Sequence, residues 1–199
     1  MPSPWRTPLA ALALGAALAA PGLAEGVEGG TVTGQVIVQP AKYQDETVVW
    51  LKDVPGPRAP ATHELDQKNM KFRPLVLLVV AGDTVTFLNH DGVDHNVYSP
   101  DGAAFDLGTF EPGGTRSRAF EATGAFTVLC RLHPEMLGYV FVAPSRHAAV
   151  VDRKGRFTIG DVPPGTYQLA VWNAHLPGQG QPVTVAAGQA VEVTLSVKR

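Results

Sequence analysis

The only cysteine of this 199-residue chain, Cys130, lies in a short run of residues that could hold a metal ion. His133 follows it by three residues and Met136 by three more, in the sequence LCRLHPEML. Thiolate and imidazole suit zinc or copper, but a thioether is a poor zinc ligand and favours copper. The spacing therefore predicts a copper site on one tight loop, whose conformations Pro134 restricts.

A copper site of the electron-transfer kind needs a second imidazole. A trigonal Cys/His/His arrangement with a long axial Met is the geometry of blue-copper sites. The segment FLNHDGVDHNVYS, residues 87–99, offers two candidates, His90 and His95. Residue types alone leave both open. Each residue also has an ordinary explanation by itself, since a lone buried Cys or Met commonly fills a core.

The first 24 residues have the features of a cleaved secretory signal. One positive charge, Arg6, precedes an Ala/Leu run at residues 9–20, and a Pro-Gly break and small residues follow it. This apolar run is too short for a membrane span, which needs roughly 20 residues. We therefore expect an exported, periplasmic protein that is cleaved near Ala24 and has no membrane span.

The charge balance argues against nucleic acid or an anionic membrane as a partner. Of the 16 basic and 18 acidic residues only Arg6 lies in the predicted leader, so the mature chain has 15 basic and 18 acidic residues, a net charge of −3. Such a chain has no overall attraction to phosphate groups. A single cysteine cannot form an internal disulfide, and an unpaired thiol in an oxidising compartment needs a reason, which metal ligation supplies.

The rest of the chain has the patterns of β-strands and turns. Apolar and polar residues alternate in runs such as TVTGQVIV, TVTFLN, AFTVLC and AVEVTLSV. Turn sequences such as SPDG, EPGG and VPPG separate these runs. No capped helical period follows the leader, so we expect an all-β sandwich protein.

Two segments of the chain carry a family resemblance. GDTVTFLNHDGVDHNVYS, followed by GAFTVLCRLHPEMLGYVFV, resembles the cupredoxins, the plastocyanin and azurin superfamily. The short C-x-x-H-x-x-M loop is most similar to that of amicyanin. The resemblance covers about 80 residues and implies a Greek-key β-sandwich with one type 1 (blue) copper that alternates between Cu(I) and Cu(II).

The resemblance also assigns the ligands. In the family the first histidine precedes Asn-Val, so His95 takes that role and His90 is a bystander. Asn96 matches the residue that, in the family, holds the ligand loops together by hydrogen bonds. Like His90, the histidines His63, His147 and His175 lack a spaced partner and are expected at the surface. The implied copper ligands are His95, Cys130, His133 and Met136.

We expect two sandwiches, with the copper domain inserted into the other. Within residues 148–172, DRKGRFTIGDVPPGTYQLAVW resembles carboxypeptidase-regulatory-like or transthyretin-like modules, and GTVTGQVIV resembles the first strand of such a module. The predicted copper domain is residues 62–144, and the second domain combines 27–61 with 145–199. Insertions at exposed loops are tolerated when their ends lie close together. The alternative is two sequential domains with a boundary near residue 144.

These features predict a periplasmic one-electron carrier rather than an enzyme. The chain has no C-x-x-C-H haem motif and no second cysteine for a dinuclear copper centre. The implied partner is a redox protein such as a c-type cytochrome or a periplasmic dehydrogenase, and the whole chain resembles exported methylamine-utilisation or plastocyanin-like proteins. Two alternatives remain: a copper-binding or delivery protein that does not shuttle electrons, and a non-redox binding module with a degenerate site. For the second sandwich, a stabilising scaffold is favoured over a docking module.

Overall fold

The computed structural model describes residues 28–54, 58–101 and 103–199, so the predicted leader lies outside the described residues. In these ranges the chain forms 16 β-strands and one short 3-10 turn, Ala41–Tyr43. No helix within them has both the length and the apolar character that a membrane crossing needs. The prediction of an all-β protein is confirmed.

The first sandwich consists of two sheets built from the middle of the chain. Its strands are β3 (Thr62–Gln67), β4 (Phe72–Arg73), β5 (Val76–Val80), β6 (Asp83–Asn89), β7 (His95–Ser99), β8 (Phe105–Phe110), β9 (Thr115–Phe120), β10 (Gly124–Leu129) and β11 (Leu137–Ala143). One sheet has the order β4-β3-β6-β9 and the other the order β5-β11-β10-β7-β8. β3 runs parallel to β6 and β5 parallel to β11, while the other pairs are antiparallel.

Period-2 alternation builds the core between these sheets. On β6 every second side chain is buried, including Val85 and Phe87, because successive side chains of a strand point to opposite faces. Val128 on β10 and Val140 on β11 are fully buried in the same cluster from the facing sheet. This packing fixes the register of β10, at whose end Cys130 lies.

The second sandwich joins strands from both ends of the chain. Its strands are β1 (Gly30–Val38), β2 (Thr47–Leu51), β12 (Ala148–Val150), β13 (Arg156–Val162), β14 (Gly165–Asn173), β15 (Gln181–Val185) and β16 (Ala190–Val197). The sheet orders are β13-β1-β16 and β12-β2-β14-β15. The pairing of β1 and β2 with strands of the tail supports the predicted insertion of residues 62–144, which stays a proposal.

The two sandwiches pack against each other through an apolar layer. Phe141 on β11 lies between two tryptophans, with ring centroids 5.0 Å from Trp50 and 5.3 Å from Trp172. Tyr139 also contacts Trp172, at 5.5 Å between centroids. β11 is therefore buried on both faces, which explains its continuous apolar sequence GYVFVA.

Candidate metal centre

Three potential metal ligands from two segments of the first sandwich lie close together. Nδ1 of His95 lies 3.1 Å from Nδ1 of His133, and Sγ of Cys130 lies 3.9 Å and 3.7 Å from these two nitrogens. A triangle with these edges contains a point about 2.0 Å from each nitrogen and about 2.2 Å from the sulfur, close to the lengths of metal bonds to imidazole and thiolate. The donor atoms therefore fit one metal ion.

Cys130 is held where β10 ends. Its side chain is only 2% exposed, and its sulfur accepts the backbone N–H of Asn96 at 3.3 Å. The thiolate is the form of cysteine that binds metals. Burial together with this bond gives the sulfur a fixed position.

His95 is the first residue of β7 and is fully buried. Its Nε2 lies 2.9 Å from Oδ2 of Asp91. An ionised carboxylate only accepts hydrogen bonds, so Nε2 carries the proton and Nδ1 keeps its lone pair, directed toward Cys130. Metal-binding histidines typically have such an acceptor behind them.

Asp91 is itself fixed by the neighbouring β3–β4 hairpin. It accepts the backbone N–H groups of Asn69 and Met70, at 2.5 and 2.9 Å. Burial alone would raise the pKa of Asp91, but these bonds and the one from His95 hold its pKa below the usual value. The carboxylate therefore stays ionised and orients the imidazole.

Hydrogen bonds of a buried side chain also hold the loop that contains Asp91. The buried Asn89 donates through Nδ2 to the carbonyl of Val93 at 2.9 Å and to that of Phe110 at 3.2 Å, while its Oδ1 accepts the N–H of Asp91. Sequence analysis missed both Asn89 and Asp91. The only available signal was the turn-forming sequence NHDG, which does not show what the side chains bind.

The loop of residues 130–136, the copper loop, places its other two predicted ligands at different depths. His133 is partly exposed, with exposed neighbours on both sides, whereas Met136 is completely buried in the same core cluster as Cys130. The N–H of Met136 donates to the carbonyl of His133 at 2.9 Å and closes the turn. The imidazole of His133 thus approaches the surface, whereas the side chain of Met136 lies within the core.

Asn96 connects the loops on either side of the site. Its Oδ1 accepts the N–H of Arg131 at 3.3 Å, and its Nδ2 donates to Asp106 at 2.7 Å. Asp106 also binds the guanidinium of Arg131 at 2.9 Å, and the pKa of Asp106 is lowered, first by that contact and then by the N–H of Gly108 and by Asn96. These contacts support the predicted positioning role of Asn96.

The remaining histidines lie outside the donor triangle. His90 binds Asp66, His63 binds Asp83 and His175 binds Glu46. The prediction that all four bystanders lie at the surface is wrong for one of them. His147 is only 4% exposed and contacts the carbonyl of Asp161 at 3.1 Å, because it follows β11 directly into the region where the two sandwiches meet.

The fold and the site together define a β-sandwich metalloprotein in which two buried donors, a partly exposed histidine and a buried methionine make up the predicted ligand set. Residues 60–143 match the family model of copper-binding proteins of the plastocyanin/azurin family, and residues 146–193 match polysaccharide lyase family 4, domain II, a module of fibronectin type III-like form. The chain belongs to the plastocyanin/azurin family, and its centre is a type 1 copper site.

Two relatives and one solved structure are similar to parts of this chain. Amicyanin-alpha from Methylorubrum extorquens is 33% identical over 89 residues, which is 42% of this chain and 75% of that protein. The methylamine utilization protein MauL from Methylophilus methylotrophus is 31% identical over 77 residues, or 37% of this chain, and the match spans only 44% of that protein's length. A purple cupredoxin structure from Nitrosopumilus maritimus is 28% identical over 41% of this chain and 99% of its own, with a TM-score of 0.38.

Proposed function

We propose that this protein is an exported, periplasmic one-electron carrier. The observation that carries the proposal is the convergence of His95, Cys130 and His133. Met136 is buried in the same core cluster as Cys130. When bound, the copper supplies a reversible one-electron change between Cu(I) and Cu(II). The amicyanin similarity covers most of that relative and supports the same function.

The side chains of the site are arranged to move little. Cys130 and His95 are buried and hydrogen-bonded, and Asn96 connects the two loops that carry them. Because interiors are close-packed and these contacts are not made by the metal, the donor positions are preorganised by the protein. Small rearrangement favours rapid electron exchange.

His133 is the proposed exit for the electron. It is the least buried member of the donor triangle, and the copper loop around it presents apolar groups, with Leu132 49% and Leu137 36% exposed. Pro134 is also exposed. A small apolar contact with polar edges suits a transient redox partner, for which we propose a c-type cytochrome or a periplasmic dehydrogenase.

Two alternatives make different demands on the site. A copper-delivery protein must release its metal, yet two of the three converging donors are buried and hydrogen-bonded. A non-redox binding module with a degenerate site would lack some of the donors, and the predicted four are all present. Both observations favour the carrier.

The export and the type of the second sandwich are separate proposals. The leader at residues 1–24 supports periplasmic export, and mass spectrometry of the mature N-terminus tests it. The turn sequence of residues 148–172 supports a carboxypeptidase-regulatory-like subtype of the second domain. An experimental structure of that domain, compared with both module types, tests this subtype.

Spectroscopy and voltammetry of purified, copper-loaded protein test the proposed function. We expect intense visible absorption from thiolate-to-copper charge transfer and a reversible one-electron wave. Strong absorption without reversible cycling would favour the delivery protein. Absence of stoichiometric copper binding would favour the non-redox module.

A further inference from the structure

A groove of about 500 Å³ lies between the two sandwiches, directly beside the copper loop. One wall is formed by the copper loop and the start of β11, and a second wall by the β3–β4 hairpin with the residue that follows β4. The third wall belongs to the second sandwich. The lining of the groove includes Lys71, Arg73, Leu75, Glu135, Leu137 and Arg153.

The wall of the first sandwich is fixed relative to the metal ligands. The hairpin donates two backbone N–H groups to Asp91, which binds the ligand His95. On the other side, the N–H of Tyr139 donates to the carbonyl of Leu75 at 2.8 Å. A Cβ on Gly138 would lie 2.8 Å from that of Phe72, so hairpin and β11 are in close contact. The groove therefore has a stable shape next to the copper site.

The groove continues the apolar surface of the copper loop. Leu75 is 37% exposed and Leu137 36% exposed, and both line the groove. Leu132, on the same loop as Leu137, is 49% exposed. Exposed leucines close together, with charged residues around them, are typical of a protein-interaction surface.

The groove is lined by three cations and two carboxylates, whereas the whole chain has a formal net charge of −2. Lys71, Arg73 and Arg153 line the groove together with the carboxylates of Glu135 and Asp45. Arg153 lies 3.2 Å from Asp45, but its side chain is 89% exposed, so this pair is weak. Within the described part of the chain, Lys71 and Arg73 have no ion-pair partner within 4.0 Å.

We propose that this groove docks the acidic surface of a redox protein, which contacts both sandwiches at once. The inference rests on the proposed electron-carrier function and gives the second sandwich a part in it. Leu75 and Leu137 supply adhesion next to the exit at His133. The cations attract an acidic partner and orient it, which raises the association rate at low ionic strength.

A binding experiment locates the docking surface independently of electron transfer. The full chain, labelled with ¹⁵N and held in the reduced state, is titrated at low ionic strength with an acidic c-type cytochrome and, separately, with a basic one. We expect amide shifts at Arg73, Leu75, Leu137 and Arg153 with the acidic cytochrome and much smaller shifts with the basic one. Shifts restricted to the surroundings of His133, or equal binding of both cytochromes, would overturn the proposal.

Charge-reversal variants test the cations directly. Exposed ion pairs contribute little individually, so Arg73→Glu and Arg153→Glu should each weaken binding of the acidic cytochrome about three- to tenfold at low salt, and much less at high salt. Arg146→Glu is the matched control, because Arg146 is exposed and lies beyond the end of β11 that is remote from the copper loop. An equal effect of all three substitutions would show that binding depends only on the net charge of the protein. It would overturn the proposal that the groove is the docking site.

Cyclic voltammetry of the same variants distinguishes a failure of the docking site from a failure of the electron-carrier function. A reversible one-electron wave, combined with groove variants that bind like wild type, would overturn the docking site and leave the carrier function intact. The absence of a reversible wave in wild type would overturn the carrier function and the docking inference with it. Reversible waves at one midpoint potential, with binding reduced only in the groove variants, support both.

Discussion

His95, the first residue of β7, and Asp91, four residues before it in the preceding loop, are joined by a hydrogen bond of 2.9 Å between Nε2 and Oδ2. This bond connects the buried imidazole to the β3–β4 hairpin, since Asp91 also accepts two N–H groups from that hairpin. The orientation of the imidazole is therefore set by a strand pair that contains no predicted copper ligand.

Removal of this carboxylate should weaken copper binding. Loss of an acceptor behind a metal-binding imidazole typically costs 10–100-fold in affinity, so we expect about that loss for Asp91→Ala. Competition titration with a copper chelator measures it. Asp94→Ala is the control, since Asp94 is exposed in the same loop. Equal affinities for both variants would show that Asp91 does not position His95.

The visible spectrum tests the assignment of the ligands. Thiolate-to-Cu(II) charge transfer needs Cys130, so Cys130→Ser should abolish the blue or green colour. His95→Ala should also damage the site, because His95 belongs to the donor triangle, whereas His90→Ala should leave it nearly intact. Exchanged outcomes for the two histidines would mean that the ligand assignment is wrong.

A buried carboxylate gives the fold an acid-dependent contribution to stability. Asp83 is 1% exposed, and its Oδ1 accepts hydrogen bonds from Arg58 and from the N–H of Ala61. Its Oδ2 accepts the N–H of Val80 and lies 2.9 Å from Nε2 of His63. Burial alone would raise the pKa of Asp83, but these partners lower it from 3.8 to about 2. Its contribution is complete above pH 4 and is lost as the pH falls toward 2.

Comparison with Asp83→Asn isolates this effect. A shift of this size corresponds to about 2 kcal/mol of unfolding free energy. Denaturant unfolding of the metal-free proteins should therefore show wild type more stable than the variant by at least about that amount at pH 5, with the difference shrinking by about 2 kcal/mol toward pH 2. A difference that does not change between pH 5 and pH 2 would contradict the lowered pKa.

A lysine on the copper loop should impede the partner and spare the metal. Leu132→Lys places a desolvated charge in the proposed contact, and we expect electron exchange with a c-type cytochrome to slow about tenfold. Stopped-flow oxidation of the reduced protein measures this rate, with the visible spectrum as the check on the site. Val150→Lys is the matched control, since Val150 is 38% exposed on the second sandwich. Equal rates for wild type and both variants would place the exit elsewhere.

Truncation tests the proposed domain boundaries. Residues 62–144 alone should fold and bind copper, but with reduced stability, because Tyr139 and Phe141 lose their packing against Trp50 and Trp172. Copper titration and thermal unfolding of this fragment and of residues 25–144 provide the comparison. If only the longer fragment folds, the two domains are sequential.

The sequence by itself determined the chemistry of the site. Three of the predicted ligands lie within seven residues, so their approach depends on a single turn that Pro134 and the local spacing favour. The copper prediction is confirmed. His95 required the family resemblance, because nothing in the composition of its loop distinguishes it from His90.

Only the tertiary structure decided what lies behind and beside that site. The bonds of Asp91 depend on the backbone of a hairpin some twenty residues away, and the burial of His147 depends on how two sandwiches pack. The approach of Arg153 to the copper loop results from the same packing. A sequence pattern shows which face of a strand is apolar. Contacts between distant elements depend on how all the strands pair and pack, and these pairings form only when the whole chain folds.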